Sequence, residues 1–321
     1  MLFKNIFTRF YFYRLYYRYA HKGWSVISKA PKYLNLALPD YSVIYILASF
    51  FKYDRVFVTG KLPKASYVSL VVYDTLGLPY SYLQITPENC DENLNFNISI
   101  NDTLRIPKSL LYCLIFRVYE PQNKNFAFPT IFVNHFKIQN ILIKKVYNNT
   151  IQIQNNIKQM ITKRLDLSIE PKAKFFNPIV TKKIGLFVNP DAIYLVGSPS
   201  QKNRVILIKG KLPDYDSYPK ISYIGFMACN LTTTETESCI GWKELSNEYK
   251  IYVAFSKRDA KRFGYNPQKH HLLLWSSNNQ KPIIVYRQVQ IQHTNIFYMN
   301  SSDWKDAKNI MGQYYPEIIH F

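Results

Sequence analysis

Glycine is scarce in this chain: there are ten in 321 residues, and no two lie closer than Gly185 and Gly197. A phosphate-cradling loop or a dinucleotide-binding turn needs glycines a few positions apart so that the backbone can approach its ligand, and neither can be built here. A Gly-x-Ser-x-Gly nucleophile elbow is missing too. The four cysteines, Cys90, Cys113, Cys229 and Cys239, contain no Cys-x-x-Cys spacing, and the six histidines contain neither His-x-x-x-His nor His-Glu-x-x-His. The usual zinc spacings are therefore absent, and the expected set of catalytic residues, metals and cofactors is none. Long apolar runs are lacking as well. Arg9, Arg14 and Arg18 interrupt the first twenty residues, and the stretch from Leu36 to Phe51 contains Asp40. Both fall short of the ~18–20 apolar residues that span a bilayer, so no transmembrane segment is expected.

Acidic residues are missing from particular places. Residues 1–39 hold seven Lys or Arg and no acid, and residues 131–183 hold ten against Asp166 and Glu170, so these two stretches carry +15 of the net +20. Residues 40–130 balance eight basic against eight acidic side chains, and 184–321 hold sixteen against eleven. Near-neutral modules joined by basic segments point to an anionic partner, which could be a membrane surface, nucleic acid or an acidic protein; charge that only keeps the chain soluble is the plainer alternative. On a helical wheel Lys4, Arg14 and Arg18 fall on one side of the N-terminal segment and Leu2, Phe3, Ile6 and Phe10 on another, the pattern of a helix lying at an interface. With Arg9, these basic residues form the expected surface-binding arm.

What is abundant is aromatic and β-branched: 27 Tyr and 21 Phe, with 47% apolar residues. Such residues suit pleated, half-buried surfaces. The chain also repeats itself. Gly60-Lys61-Leu62-Pro63 returns as Gly210-Lys211-Leu212-Pro213, preceded by Asp40 and Tyr45 against Asp191 and Tyr194. It is followed by Ser66-Tyr67 against Ser222-Tyr223, and by Leu114-Ile115-Phe116-Arg117 against Ile284-Val285-Tyr286-Arg287. Three echoes in one order indicate a duplication.

Around each echo the apolar residues alternate with period two, at Val56 and Val58, then Val68, Leu70 and Val72, then Phe96 and Ile98, and 111–118 reads as a buried strand. The second copy repeats this at 205–208, 223–228, 251–255 and 283–289. The Gly-Lys-Leu-Pro segment is expected to be a corner, with Gly freeing the backbone and Pro ending the ladder. The predicted fold is all-β: two tandem, duplicated β-sandwich (jelly-roll-like) modules with a basic N-terminal arm and a helical linker. The expected boundaries are 1–38 for the arm, 39–130 for the first module, 131–183 for the linker with a helix near 150–166, and 184–321 for the second module, closed by a short helix at 303–311.

Several of these residues have a family look. The run from Arg204 to Pro213, the Ser222-Tyr223 strand, Leu272-Leu273-Leu274-Trp275, the strand ending at Arg287 and Met311-Gly312-Gln313-Tyr314-Tyr315-Pro316 resemble a widespread bacterial family of unknown function. Its marks are a Gly-x-x-Pro corner, a Tyr-x-Ser strand, a leucine-rich strand ending in Arg, and a Met-Gly-x-Tyr-x-Pro tail. Residues 114–121 are similar to the closing strand of a related β-domain, also of unknown function. The resemblance implies tandem jelly-roll-like domains and supplies no catalytic residues. This chain lacks the family's usual Pro and second Trp in the Trp loop, and its export signal.

Arg117 and Arg287 end equivalent strands and are the main site candidates. They are expected to be buried and bonded within their own modules, to loop carboxylates such as Asp40 and Asp191 or to carbonyls, with a ligand anion as the alternative. Tyr67, Tyr73, Tyr223 and Trp275 could line a pocket in the mouth of a sandwich. Cys229 and Cys239 flank one loop and are either two buried thiols or a disulfide. His270-His271 and the Asp-x-Asp at Asp214 and Asp216 read as packing and turn chemistry.

The expected function is that of a non-catalytic structural or interaction protein, an assembly component of the virion or capsid type. Its arm and linker would contact a membrane, nucleic acid or protein neighbours, whether copies of itself or other chains. A virion-associated or cytoplasmic, peripheral-membrane location is expected over secretion. The alternative is an enzyme or a binder of a small, carbohydrate-like ligand.

Overall fold

The computed structural model describes residues 17, 20, 23–24, 26–28, 40–75, 77–123, 125–139, 174–175, 189–199, 205–213, 221–233, 235–290 and 304–321. Their regular structure is mainly β-strand, grouped in two compact units. The first contains β1 (Val26–Ser28), β2 (Val43–Phe51), β3 (Val56–Lys61), β4 (Tyr67–Tyr73), β5 (Pro79–Gln84), β6 (Asn95–Ser99), β7 (Leu111–Tyr119), β8 (Thr130–Val133) and β9 (Phe136–Ile138). One of its sheets runs β1-β2-β7-β4-β5 and the other β6-β3-β8-β9.

The second unit contains β10 (Ala192–Gly197), β11 (Val205–Lys211), β12 (Ile221–Asn230), β13 (Glu235–Gly241), β14 (Glu248–Ala254), β15 (His271–Leu274), β16 (Pro282–Gln290) and β17 (Glu317–His320). Its sheets run β10-β16-β12-β13 and β15-β14-β11-β17. Set side by side, the orders match strand for strand: β2-β7-β4-β5 answers to β10-β16-β12-β13, and β6-β3-β8 to β14-β11-β17. Even the joints recur. A 3-10 turn at Pro87–Asn89 lies between β5 and β6, and another at Trp242–Glu244 between β13 and β14. In each, the third residue reaches back to the backbone N–H that precedes the turn: Thr86 N donates to Asn89 Oδ1 (2.9 Å) and Gly241 N to Glu244 Oε1 (3.4 Å). The duplication is thus structural as well as sequential.

Period-two alternation produces each core. In the first unit Ile44, Ile46, Ala48 and Phe50 of β2, Val68, Leu70 and Val72 of β4, and Leu114, Phe116 and Val118 of β7 meet Val56, Val58, Phe96, Ile98 and Ile131 from the opposite sheet. In the second, Phe226, Ile284 and Tyr286 meet Ile206, Ile208, Tyr249, Ile251 and Val253. The helix expected at 303–311 is Trp304–Met311, and it lays Ala307 and Met311 on this second core.

Two boundaries fall elsewhere than the charge pattern suggested. Trp24, within the stretch read as an arm, is 1% exposed in the first core and donates its indole N–H to Pro129 O (2.6 Å). Its neighbours at β1 extend the first sheet by pairing with β2. Strands β8 and β9 occupy the start of the stretch read as linker. Charge counting could not detect either, because a single Trp and a short hairpin hardly alter it. The linker helix near 150–166 lies outside the described residues.

The Gly-Lys-Leu-Pro segment is also not a corner. Gly60 and Lys61 remain in β3, as Gly210 and Lys211 do in β11. Each glycine sits directly across from an aromatic residue of the neighbouring strand, Gly60 opposite Phe96 and Gly210 opposite Tyr249. A Cβ at Gly60 would lie 3.1 Å from the Phe96 ring, and one at Gly210 would lie 2.7 Å from Tyr249 Cζ. The glycine is there to let a ring cross the strand, an arrangement known from aromatic cover of strand glycines.

Candidate functional site

The sheet that carries Arg287 turns Ile284 and Tyr286 toward the core, so Arg287, the next residue along β16, projects from the opposite face. Burial of the whole of β12 shows that this second face is covered as well. Across it runs one rung of paired residues, Tyr194 on β10, Arg287 on β16 and Gly225 on β12. The guanidinium lies 5.0 Å from the Tyr194 ring centre, within cation–π range. Its Nη1 is 3.7 Å from Asp40 Oδ2, and the same carboxylate oxygen accepts a 2.5 Å hydrogen bond from the Tyr223 hydroxyl. Arg287, Asp40 and Tyr223 are all buried. Gly225 makes the constellation possible: a Cβ there would stand 2.8 Å from Tyr223 Cζ, closer still to its hydroxyl, and 3.0 Å from Asp40 Oδ2. Next to Asp40, the Tyr41 hydroxyl donates to Thr236 O.

Asp40 and Tyr41 group with the second unit although Ser42 onward belongs to the first. This corrects the expectation that each arginine bonds within its own stretch of sequence. The echo of Asp40 in Asp191 marks the two as equivalent, but it does not say which arginine either one meets.

In the first unit the matching rung is Tyr45 on β2, Arg117 on β7 and Ser69 on β4. Arg117 is 1% exposed and donates from Nη2 to the Tyr73 hydroxyl, with its guanidinium 5.2 Å from the Tyr73 ring and 5.8 Å from that of Tyr45. On the same face Asn189 Nδ2 donates to the Tyr119 hydroxyl (3.3 Å). Both arginines are thus buried cations held by phenols, and Ser69 takes the place of Gly225.

The four rings expected to line a pocket are all buried. Tyr67 is buried edge-on against Tyr119 (5.4 Å), and Tyr73 accepts from Arg117. Tyr223 donates to Asp40, while Trp275 donates to Ile283 O (3.2 Å) and tilts against Phe255. The first two belong to one unit and the last two to the other, so they line no common mouth within either. Cys229 and Cys239 are unbridged, which corrects the disulfide reading. Cys229 pairs in register with Thr236 and Cys239 with Met227, and an irregularity between Ala228 and Cys229 shifts the ladder between them. Burial pushes the Cys229 thiol up to about 12 and raises that of Cys239 further. Both stay protonated at neutral pH, the opposite of what a nucleophilic thiol requires.

His270 accepts a bond from Asn266 N (3.0 Å) through Nδ1. Partial burial, helped by Lys250 and Lys269, lowers its pKa and keeps it neutral. Among the described residues no three His, Cys, Asp or Glu side chains converge to hold a metal ion. Lys4, Arg9, Arg14 and Arg18 of the arm, and Asp214 and Asp216, lie outside the described residues. Sequence reasoning did not single out Gly225, Tyr41 or Asn189. The pairing of Tyr45 with Tyr194, visible in the repeat, was the available signal for a ring under each arginine.

No family model and no curated protein matches the chain. Among solved structures it is similar to an uncharacterised protein from Burkholderia cenocepacia, at 11% identity over 98% of this chain and 86% of that one, with a TM-score of 0.64. A Vibrio parahaemolyticus protein aligns over 98% of this chain and 96% of its own at 10% identity, with a TM-score of 0.47. Identity this low speaks to fold alone, and the first of the two shares the fold across most of its length.

Proposed function

We propose that the chain is a non-catalytic structural or interaction protein, a component of a larger assembly whose basic N-terminal and central segments engage an anionic surface or neighbouring subunits. The observation that carries this reading is how the buried polar groups are used. Arg287 pairs with Asp40, which accepts from Tyr223, and Arg117 bonds Tyr73, so the charged residues inside the protein tie its strands together. The ionisations point the same way. Burial raises the pKa of Cys229, Cys239, Tyr249 and Tyr286, which keeps these thiols and phenols in their protonated, weakly nucleophilic form at neutral pH.

Tandem jelly-roll-like modules with basic arms suit virion and capsid-associated roles, an analogy of fold only. The resemblance to bacterial β-domains of unknown function fits the same architecture. Light scattering on the purified full chain tests the proposal: a mass that is a multiple of 37.9 kDa, or a complex that high salt disperses, is expected. A salt-independent monomer that co-purifies with a small ligand would overturn it in favour of the ligand-binding alternative.

A further inference from the structure

We propose that one end of the first unit is a docking surface for an anionic phospholipid membrane. The three most exposed large hydrophobic side chains among the described residues are Tyr53 (76%), Phe136 (75%) and Tyr17 (61%), and backbone contacts bring their segments to this one end. The turn at 52–55 between β2 and β3 is tied to the β8–β9 turn, because Asn134 N donates to Arg55 O (2.9 Å) and Arg55 N donates to Asn134 Oδ1 (3.0 Å). Lys52 N donates to Leu110 O (2.9 Å), which seats the exposed Leu110 beside the same turn. Tyr17 packs edge-on against Phe51, the last residue of β2 (6.0 Å).

The β8–β9 turn holds its position through left-handed backbone at Asn134 (φ 50°) and His135 (φ 71°), the conformation of a tight two-residue hairpin. Phe136 is therefore presented by a fixed hairpin. Scattered apolar side chains on a surface are ordinary, but a group of this exposure at one end marks a contact site.

The charges nearby choose the partner. Lys52 extends its ammonium over the Tyr53 ring (4.6 Å), and Arg55 in the same turn and Lys137, next to Phe136 in the chain, are exposed. Asp54, the acid of this turn, is turned inward, where its Oδ2 accepts from Phe51 N (2.7 Å). Asp102, exposed on the short helix Ile100–Thr103, accepts from the Ser99 hydroxyl (2.5 Å) and is the acid that the surrounding cations must outweigh. Projecting aromatic rings among lysines and arginines match the headgroup region of a bilayer, where rings sit at the interface and cations meet acidic lipid. A strand of nucleic acid would instead favour rings laid flat as a stacking platform. Each cation near an acidic leaflet adds about fivefold to partitioning.

This inference rests on the reading of the chain as an interaction protein, and its test separates the two. The full chain should sediment with phosphatidylcholine vesicles containing about 30% phosphatidylserine, less so in high salt, and not with phosphatidylcholine alone. The double variant Tyr53→Ser/Phe136→Ser should lose about tenfold or more in partitioning at an unchanged melting temperature, since both side chains are exposed. In Phe136→Trp, brominated lipid should quench the added emission. Wild-type partitioning by the double variant, or no quenching of the new tryptophan, would overturn the proposal. If vesicle binding disappears only when residues 1–16 are removed, the proposal falls while the arm reading stands. Self-assembly without any vesicle binding would likewise sink it and leave the assembly reading intact.

Discussion

Arg287 stands 3.7 Å from Asp40, a residue 247 positions earlier in the chain, and both are buried in the second unit. Removing one member of a buried ion pair leaves the other charge without compensation, at a cost of about 3–5 kcal/mol. Arg287→Ala should therefore unfold the second unit or lower its urea midpoint sharply. Asp40→Asn should cost less, because an amide oxygen can still accept from Tyr223. Removing both charges should cost less than the sum of the single changes, as expected for residues in one network. An unchanged midpoint for Arg287→Ala would show that the guanidinium contributes nothing to holding the sheet.

The two repeated glycines should differ in their tolerance of a methyl group. At Gly210 the new Cβ would meet the Tyr249 ring at 2.7 Å, and closer at its hydroxyl, while at Gly60 the nearest atoms, of Phe96 and Pro129, stand at 3.1 and 3.2 Å. Overpacking of this kind costs about 1–3 kcal/mol. Gly210→Ala is expected to lower the melting temperature by several degrees and Gly60→Ala by distinctly less. Differential scanning fluorimetry on the pair checks the order, and equal losses would show that ring cover is not what selects glycine here.

The same positions show what the sequence could reveal. Strands such as Val56–Lys61 and Asn95–Ser99 were visible because one face alternates, and the duplication was visible because Gly60 and Gly210, Tyr45 and Tyr194, and Arg117 and Arg287 recur in order. β5 was not visible, because its residues are only partly buried and carry no clean alternation. The second buried face of β7 and β12 hid the site, since a strand buried on both sides reads as a continuous apolar run. Arg287 could be named as important from sequence. That its carboxylate would come from Asp40 could not, because equivalence between repeats is silent about which copy supplies the partner.

Glu317 on β17 provides a pH dependence whose sign can be worked out. Its carboxylate lies 3.3 Å from Lys209 and 3.4 Å from Lys308, and the hydrogen bond from Lys209 is the largest of the influences that hold its pKa below the ordinary value of 4.5. A carboxylate whose folded pKa is depressed stabilises the fold above its unfolded pKa, and that contribution disappears as pH falls through the folded value. These side chains are half-exposed, so the gain is small, about 0.2–1 kcal/mol. Glu317→Gln should be slightly less stable than the wild type at pH 7, and the difference should shrink once the pH falls below 4.5 and through the lower folded pKa. A difference that persists unchanged to acid pH would rule out the ion pairs as its source.

Truncation at the N terminus separates core from contact. Trp24 is buried and bonded to Pro129, so Trp24→Ala should cost about 3–5 kcal/mol and destabilise the first unit. Tyr17 packs on Phe51, and Ala20 bridges to Ser49, so a truncation meant to spare the fold should stop at residue 16. Residues 1–16 contain Lys4, Arg9 and Arg14 and no acid, and attraction between exposed charges weakens as the screening length shrinks from ~10 Å at 0.1 M salt to ~3 Å at 1 M. The truncated chain is expected to keep the full-length urea midpoint while losing part of its salt-sensitive affinity for acidic vesicles or for its own assembly. Should truncation instead lower the midpoint as much as Trp24→Ala does, those first residues belong to the folded core, and the basic charge that makes an anionic partner attractive has to act from the central segment alone.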